Sequence, residues 1–200
     1  MEAVGLTGGI ASGKSFIVSY LKKINISVHE SDVVIRALYE KPTNNLLCFL
    51  EKEGFEKSLN KKKINKKIIR DLIFNNKNKK KKIEKYLHNA VRKSRENFLI
   101  KNKNKKIVFL DIPLLFENKL EKNYSFICTA ICSLKTRKAR ALQRPGMTKK
   151  ILNQIVRSQT NDNVRKKKSD YLINTTQTKT KTCLQVDKII YDILQNIGTK

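Results

Sequence analysis

The sequence predicts a three-layer α/β protein built on a mostly parallel sheet. Three observations carry this. Short apolar runs alternate with amphipathic stretches along the chain, the pattern of strands joined by crossover helices. The run Ile107-Val108-Phe109-Leu110 is apolar without alternation, as expected of a strand covered on both faces. A glycine cluster separates the first apolar run from the first amphipathic stretch, which reads as strand, loop, helix.

Taken in order, Ala3 to Thr7 reads as a strand and Lys14 to about Lys23 as a helix. Ile26-Ser27-Val28-His29 alternates weakly and suits a second strand. Asp32 to Glu40 reads as a helix that Pro42 stops. From Thr43 to about Asn104 helical spacing dominates. Ile64, Ile68, Ile69, Leu72 and Ile73 recur on one face, and so do Ile83, Leu87, Ala90, Val91, Ser94 and Phe98. Lysine runs (Lys61 to Lys63, Lys79 to Lys82, Lys103 to Lys106 around Asn104) fill the outer faces and joins, so this stretch reads as a helical insertion. Beyond it, Ile107 to Leu110 and Tyr124 to Ile131 read as strands. Thr136 to Arg144 is a basic helix broken at Pro145-Gly146, and Met147 to Ser158 resumes the helix. Tyr171 to Asn174 is a short last strand, and Thr182 to Gln195 a closing amphipathic helix. The expected organisation is one domain over residues 1–200. Its core lies in 1–42 and 105–200 and the helical insertion at about 43–104.

The chain carries 44 Lys and Arg against 17 Asp and Glu, a net charge of +27. Only nine of the basic residues are Arg, the side chain that reads phosphate and guanine with a planar fork. A lysine surplus accompanied by frequent Asn and Ile points to drift in composition rather than to nucleic-acid readout. Aromatic residues are 7% of the chain and Trp is absent, so no stacking platform is visible and no specific nucleic-acid partner is expected. Hydrophobic residues make up 40%, and no apolar run approaches the ~18 residues of a membrane span. Met1 to Gly5 lacks the basic and apolar regions of a signal peptide. The four cysteines (Cys48, Cys128, Cys132, Cys183) show no metal-binding spacing and are expected to be buried, reduced thiols of a cytoplasmic protein, with Cys128 and Cys132 on one face of a strand.

Gly8-Gly9-Ile10-Ala11-Ser12-Gly13-Lys14-Ser15 fits the phosphate-loop pattern G-x-x-x-x-G-K-[ST] in full, in the required place between strand and helix. Backbone N–H groups of such a loop turn inward around phosphate oxygens, and the helix N-terminus adds partial positive charge. Lys14 is then placed for the β and γ phosphates and the Ser15 hydroxyl for Mg²⁺. The fold class is therefore a three-layer P-loop NTPase core. Asp111 ends the apolar strand, where a second acidic group holds Mg²⁺ directly or through water. Its alternative, a helix cap, is disfavoured by Pro113 two residues on. Asp32 follows the second strand at the carboxyl edge of the sheet, where open α/β folds bind ligands. It suits either a base for an attacking hydroxyl or the N-cap of the next helix. Arg137, Arg140 and Arg144 share a helix face by spacing and suit either a clamp on transferring phosphoryl charge or a solvated basic face.

Together these motifs resemble the dephospho-coenzyme A kinase family. The opening Val4 to Ser15 is similar to the family's start, and Asp111-Ile112-Pro113-Leu114-Leu115-Phe116-Glu117 to its second hallmark. Leu87-His88 with Val91-Arg92 resembles its leucine-histidine-proline segment, and Arg144, Gly146, Met147 and Thr148 its lid. Ser158-Gln159, Arg165, Asp170 and Ile173-Asn174 resemble its late segment. The resemblance implies ATP-dependent phosphorylation of the ribose 3′-hydroxyl of dephospho-coenzyme A, the last step of coenzyme A biosynthesis. It implies that the insertion at about 43–104 is a helical substrate-binding region and that a small, mobile helical lid lies at about 136–150. The implied partners are ATP, Mg²⁺ and dephospho-coenzyme A, with no membrane, in a monomer or small homo-oligomer. The implied catalytic residues are Asp32 as base, Lys14 and Arg140. Gly9, Ala11, Ser12, Gly13, Lys14, Ser15, Phe16 and Arg144 would contact ATP. Asp32, His88, Arg92 and Asp111 would contact the acceptor, and Ser15 and Asp111 the metal. Four positions depart from the pattern: Glu30 in place of an Asp, Phe16 of a Thr, Asn89 of a Pro and Pro145 of an Asp. Two other readings share part of this chemistry: a P-loop kinase acting on a nucleoside or nucleotide, and a basic nucleic-acid-binding protein.

Overall fold

The computed structural model describes residues 1–61 and 63–198. Its elements follow in chain order. β1 is Glu2–Gly8, α1 Lys14–Lys23, β2 Val28–Glu30, α2 Ser31–Glu40 and α3 Asn44–Lys52. Two two-residue strands, β3 Leu59–Asn60 and β4 Lys63–Ile64, precede α4 Lys66–Phe74 and the long α5 Lys77–Lys101. Then come β5 Ile107–Asp111, β6 Phe126–Ile131, α6 Leu134–Leu142, α7 Lys149–Ser158, α8 Asp162–Lys168, β7 Tyr171–Asn174 and α9 Lys179–Gly198.

The five larger strands form one sheet in the order β2-β5-β1-β6-β7. The ladders β1 with β5, β1 with β6 and β6 with β7 are parallel, as the alternation of strands and helices requires. The strand expected to be covered on both faces is buried along its length in β5, and Val4 and Leu6 of the central β1 are fully buried beside it. Ile17, Val18 and Leu21 of α1 and Val186, Ile189, Ile190 and Ile193 of α9 close one core with Cys128, Ala130 and Ile173. Tyr20 of α1 donates its hydroxyl to Asp187 of α9 at 2.8 Å, and this bond to a carboxylate pushes the phenol up to about 12.

The described residues pack as two compact units: Met1–His29 with Asn102–Lys200, and Glu30–Lys101. The second has its own core of Leu46, Leu50, Phe55, Ile69 and Ile83, with the rings of Phe49 and Tyr86 stacked at 4.5 Å. It includes α2, which packs on α5. In the first unit, Ser27 Oγ donates to Asn102 Oδ1 at 2.8 Å, so the chain leaves that unit and returns to it at one point. Among the described residues no helix is long and apolar enough to cross a membrane.

Element boundaries moved for identifiable reasons. β2 starts at Val28 instead of Ile26 because residues 24–26 still terminate α1. Asn25 sits in the left-handed region at φ 61°, and the amides of Asn25 and Ile26 return to the carbonyls of Lys22 and Leu21. α7 starts at Lys149 because Thr148 caps it, its hydroxyl accepting from Ile151 N at 3.2 Å. α8 was not expected at all. The thiol expectation is corrected: Cys48 is exposed, Cys132 is half-buried just past the end of β6, and only Cys128 is buried, which pushes its thiol well up from the ordinary value.

Candidate active site

The site is built where β1 ends. Ala11 and Gly13 adopt left-handed backbone at φ 56° and 90°, and Ser12 N donates to Gly9 O at 3.1 Å, folding the loop back over the end of the strand. α1 begins at Lys14, and the amides of Lys14 and Ser15 have no helical acceptor, whereas Phe16 N already donates to Gly13 O at 3.0 Å. That is the condition for holding an anion, and the aligned peptide dipoles of α1 favour negative charge there.

The loop is braced from behind. Ile10 N donates to Gln159 Oε1 at 2.9 Å. Thr175, buried just past β7, donates its hydroxyl to Ser12 O at 2.6 Å. Arg140 grips Thr175 in turn, Nη2 to its carbonyl at 2.8 Å and Nη1 to its hydroxyl at 3.2 Å. A methyl group on Gly13 would lie 2.9 Å from Thr175 Cβ and Oγ1. Gly13→Ala is therefore expected to destabilise the fold by about 1–2 kcal/mol from the left-handed backbone alone. It should also raise the KM for ATP as the Ser12–Thr175 brace shifts. A thermal melt and an ATP titration check both.

Asp111 ends β5 with 6% of its surface exposed, and the β1–β5 register sets it opposite Leu6, two residues before Gly8. Lys14 Nζ and Asp111 Oδ1 form an ion pair. The chain runs from Asp111 through Pro113 into turns, not into a helix, so the cap alternative for this residue falls. Ser15 stands exposed in the first turn of α1. One carboxylate and one hydroxyl are hard oxygen donors of the kind Mg²⁺ takes when phosphates and waters supply the remainder, so Ser15 and Asp111 fit that ion. Phe16 is half-buried, with Lys179 Nζ 5.9 Å from its ring centroid.

Arg137 and Arg140 of α6 and Arg144 beyond it differ in depth and in partners. Arg137 is only 6% exposed and is paired with Asp162, with Arg137 Nη2 donating to Asp162 Oδ2 at 2.7 Å. Arg140 is half-buried on Thr175, and Arg144, two residues past α6, is exposed. Beside them a polar cavity of about 350 Å³ opens at the carboxyl ends of β6 and β7, lined by Ile131, Cys132, Ser133, Asn174 and Thr176 among others.

Asp32, His88 and Arg92 belong to the second unit. Asp32 is exposed in the first turn of α2, whose cap position is taken by Glu30, so the reading of Asp32 as an N-cap is corrected. Its carboxylate makes no hydrogen bond or ion pair among the described residues. His88 and Arg92 lie one turn apart on exposed positions of α5, with Arg92 Nε 4.0 Å from Glu96. The structure thus gathers Gly9, Ala11–Ser15, Asp111 and Arg140 in the first unit and Asp32, His88 and Arg92 in the second. Sequence reasoning assigned no role to Thr175, Gln159, Glu117 or Asp162. Gln159 and Glu117 sit within motifs that carried the family resemblance, and Thr175 and Asp162 carry no such signal.

Comparisons with known proteins bear on family and fold. The profile of the family described as dephospho-CoA kinase matches residues 2–180. A dephospho-CoA kinase of Bartonella quintana is 33% identical over 199 residues, covering 98% of this chain and 100% of that protein. One from Rickettsia conorii is 31% identical over 196 residues, covering 96% and 98%. Among solved structures, a dephospho-CoA kinase from Campylobacter jejuni superposes with a TM-score of 0.67 at 25% identity, covering 96% of this chain and 97% of that one. A Thermus thermophilus protein shares the fold with a TM-score of 0.82 at 23% identity, covering 96% of both chains. With a complete phosphate loop, an acidic strand end beside its lysine and full-length relatives on both counts, the chain belongs to the dephospho-CoA kinase family.

Proposed function

We propose that the residues above divide the family's reaction as follows. That reaction, the last step of coenzyme A biosynthesis, joins the γ-phosphoryl group of ATP to dephospho-coenzyme A. We assign the acceptor atom as the ribose 3′-oxygen. The amides of Ala11, Gly13, Lys14 and Ser15 and the Lys14 ammonium hold the triphosphate. Ser15 and Asp111 would hold Mg²⁺, which when bound would supply charge neutralisation on the triphosphate. Lys14 leaves Asp111 to meet the β and γ oxygens.

Asp32 orients the 3′-hydroxyl and accepts its proton as the new O–P bond forms and the bond to the β–γ bridging oxygen breaks, releasing ADP. An exposed carboxylate without a committed partner is free for that task. Arg140, seated on Thr175, and Arg144 offset charge on the phosphoryl group in flight. His88 and Arg92 contact the acceptor, whose diphosphate suits a cation. The cavity at the ends of β6 and β7 takes the adenosine end of ATP, since nucleotides in open α/β sheets lie outside the carboxyl ends of the strands. Free thiols at all four cysteines support a cytoplasmic setting.

The observation that carries this reading is the ion pair between Lys14 of the loop and Asp111 of the neighbouring strand, which sets both phosphate and metal groups at one point. An ADP-release assay offering dephospho-coenzyme A beside a panel of nucleosides and nucleotides tests it. Turnover with dephospho-coenzyme A at a kcat/KM at least about 100-fold above every nucleoside is expected, a margin that polar recognition of the acceptor readily supplies. Preference for a nucleoside would overturn the acceptor assignment.

A further inference from the structure

Four charged side chains lie behind the phosphate loop, and two of them are almost wholly buried. Arg165 is 1% exposed and Arg137 is 6% exposed. Arg165 Nη2 donates to Glu117 Oε1 at 2.9 Å, and its Nη1 donates to Asp162 Oδ1 at 3.0 Å. The other oxygen of Asp162 accepts from Arg137 Nη2 at 2.7 Å. The cluster is thus a chain, Glu117–Arg165–Asp162–Arg137, with two positive and two negative charges. Burying such groups is costly unless each is paired, so their retention calls for a role that apolar packing would not fill.

The chain of charges meets the phosphate loop at two successive residues. A methyl group on Gly9 would land on Arg137 Nη1 and 2.9 Å from Arg165 Nη1. Both guanidinium groups therefore stand against the bare Cα of Gly9. The next residue, Ile10, donates its amide to Gln159 Oε1 at 2.9 Å. Gln159 is held in turn because its neighbour Thr160 donates its amide to Glu117 Oε1 at 2.7 Å. Glu117 belongs to the turn after β5, Arg137 to α6, and Asp162 and Arg165 to α8. Three segments distant in sequence fix Gly9 and Ile10 through one ionic chain.

We propose that Arg137 is a positioning residue for the nucleotide. One nitrogen of its guanidinium is held by Asp162 while the other supports Gly9, so the phosphate loop is kept in its binding shape before ATP arrives. The role rests on the reading of Gly9 to Ser15 as the ATP cradle. It needs a planar fork with two separate nitrogens, which Lys lacks.

The test compares Arg137→Gln and Arg137→Lys with the parent protein in steady-state kinetics for each substrate, with thermal melts alongside. The parent must first turn over ATP and dephospho-coenzyme A; its failure to do so would count against the proposed function and not against Arg137. With an active parent, Arg137→Gln is expected to raise the KM for ATP about tenfold, with kcat and the KM for dephospho-coenzyme A within about threefold. Arg137→Lys keeps a charge opposite Asp162 and should recover the melting temperature, yet retain most of the rise in KM for ATP. A purely structural role would move the melt and the KM together. A folded Arg137→Lys protein with the parent's KM for ATP overturns the proposal, as does an equal rise in both KM values. Should Arg137→Gln fail to fold, the Lys variant alone decides by the same criterion.

Discussion

Replacing Lys14 by Ala is expected to slow phosphoryl transfer by roughly 10³-fold or more while leaving a folded protein. The lysine is the only cation in the phosphate loop itself, and the helix amides around it are partial charges. Without it, charge building on the β–γ bridge loses the counter-ion that the loop itself supplies. The loop geometry does not depend on the side chain, because Gln159, Thr175 and the Ser12–Gly9 bond hold the backbone. The stability cost comes from Asp111, which loses its ammonium partner and should lower the unfolding free energy by about 1–3 kcal/mol. Steady-state ADP release together with a circular-dichroism melt separates the two effects. Full turnover in a folded Lys14→Ala protein would remove the basis for the phosphate-loop assignment.

The second large effect is expected at Asp32. Asp32→Asn keeps the shape of the side chain but cannot take up a proton, so kcat should fall by roughly 10²- to 10⁴-fold. ATP affinity should stay unchanged, since the groups that hold the triphosphate lie in the other unit. The residue is exposed in the first turn of α2, and its exchange should alter stability by no more than about 0.5 kcal/mol. Single-turnover transfer with both substrates saturating gives the clean reading. A kcat within threefold of the parent would mean that the 3′-hydroxyl loses its proton elsewhere.

What the chain disclosed in advance, and what it withheld, divides along physical lines. β1 and β5 were legible because burial on both faces leaves an unbroken apolar run. The phosphate loop was legible because its chemistry demands Gly, Lys and Ser at set intervals. The ionic chain behind the loop was not, since a buried arginine leaves no apolar periodicity. No element is expected between Ser158 and Tyr171, yet Arg165 within that stretch is among the most buried large side chains. α8 is ordered by that one charged residue and the Asn161 cap, whose side chain accepts from Asn163 N at 2.8 Å. The depths of Arg137, Arg140 and Arg144 were hidden for a related reason. Their spacing places them within one helical sector but says nothing of depth, and Arg137 is buried on Asp162 while Arg144 reaches solvent. Thr175 stands in an Asn-Thr-Thr-Gln stretch with nothing to mark the hydroxyl that braces Ser12.

The bond between Ser27 and Asn102 bears on how such a chain assembles. The central strand β1 must find β5, and Glu2 pairs with Ile107, so the sheet closes across about a hundred residues of intervening chain. Closing a flexible loop of that length is entropically expensive and slow. The segment from Glu30 to Lys101 has a core of its own, and the residues flanking it meet at one place. If it collapses first, the loop that β1 and β5 must close is shortened to little more than their own flanks. The inserted unit would then act as an internal clasp, bringing the two halves of the sheet into register before either has a partner.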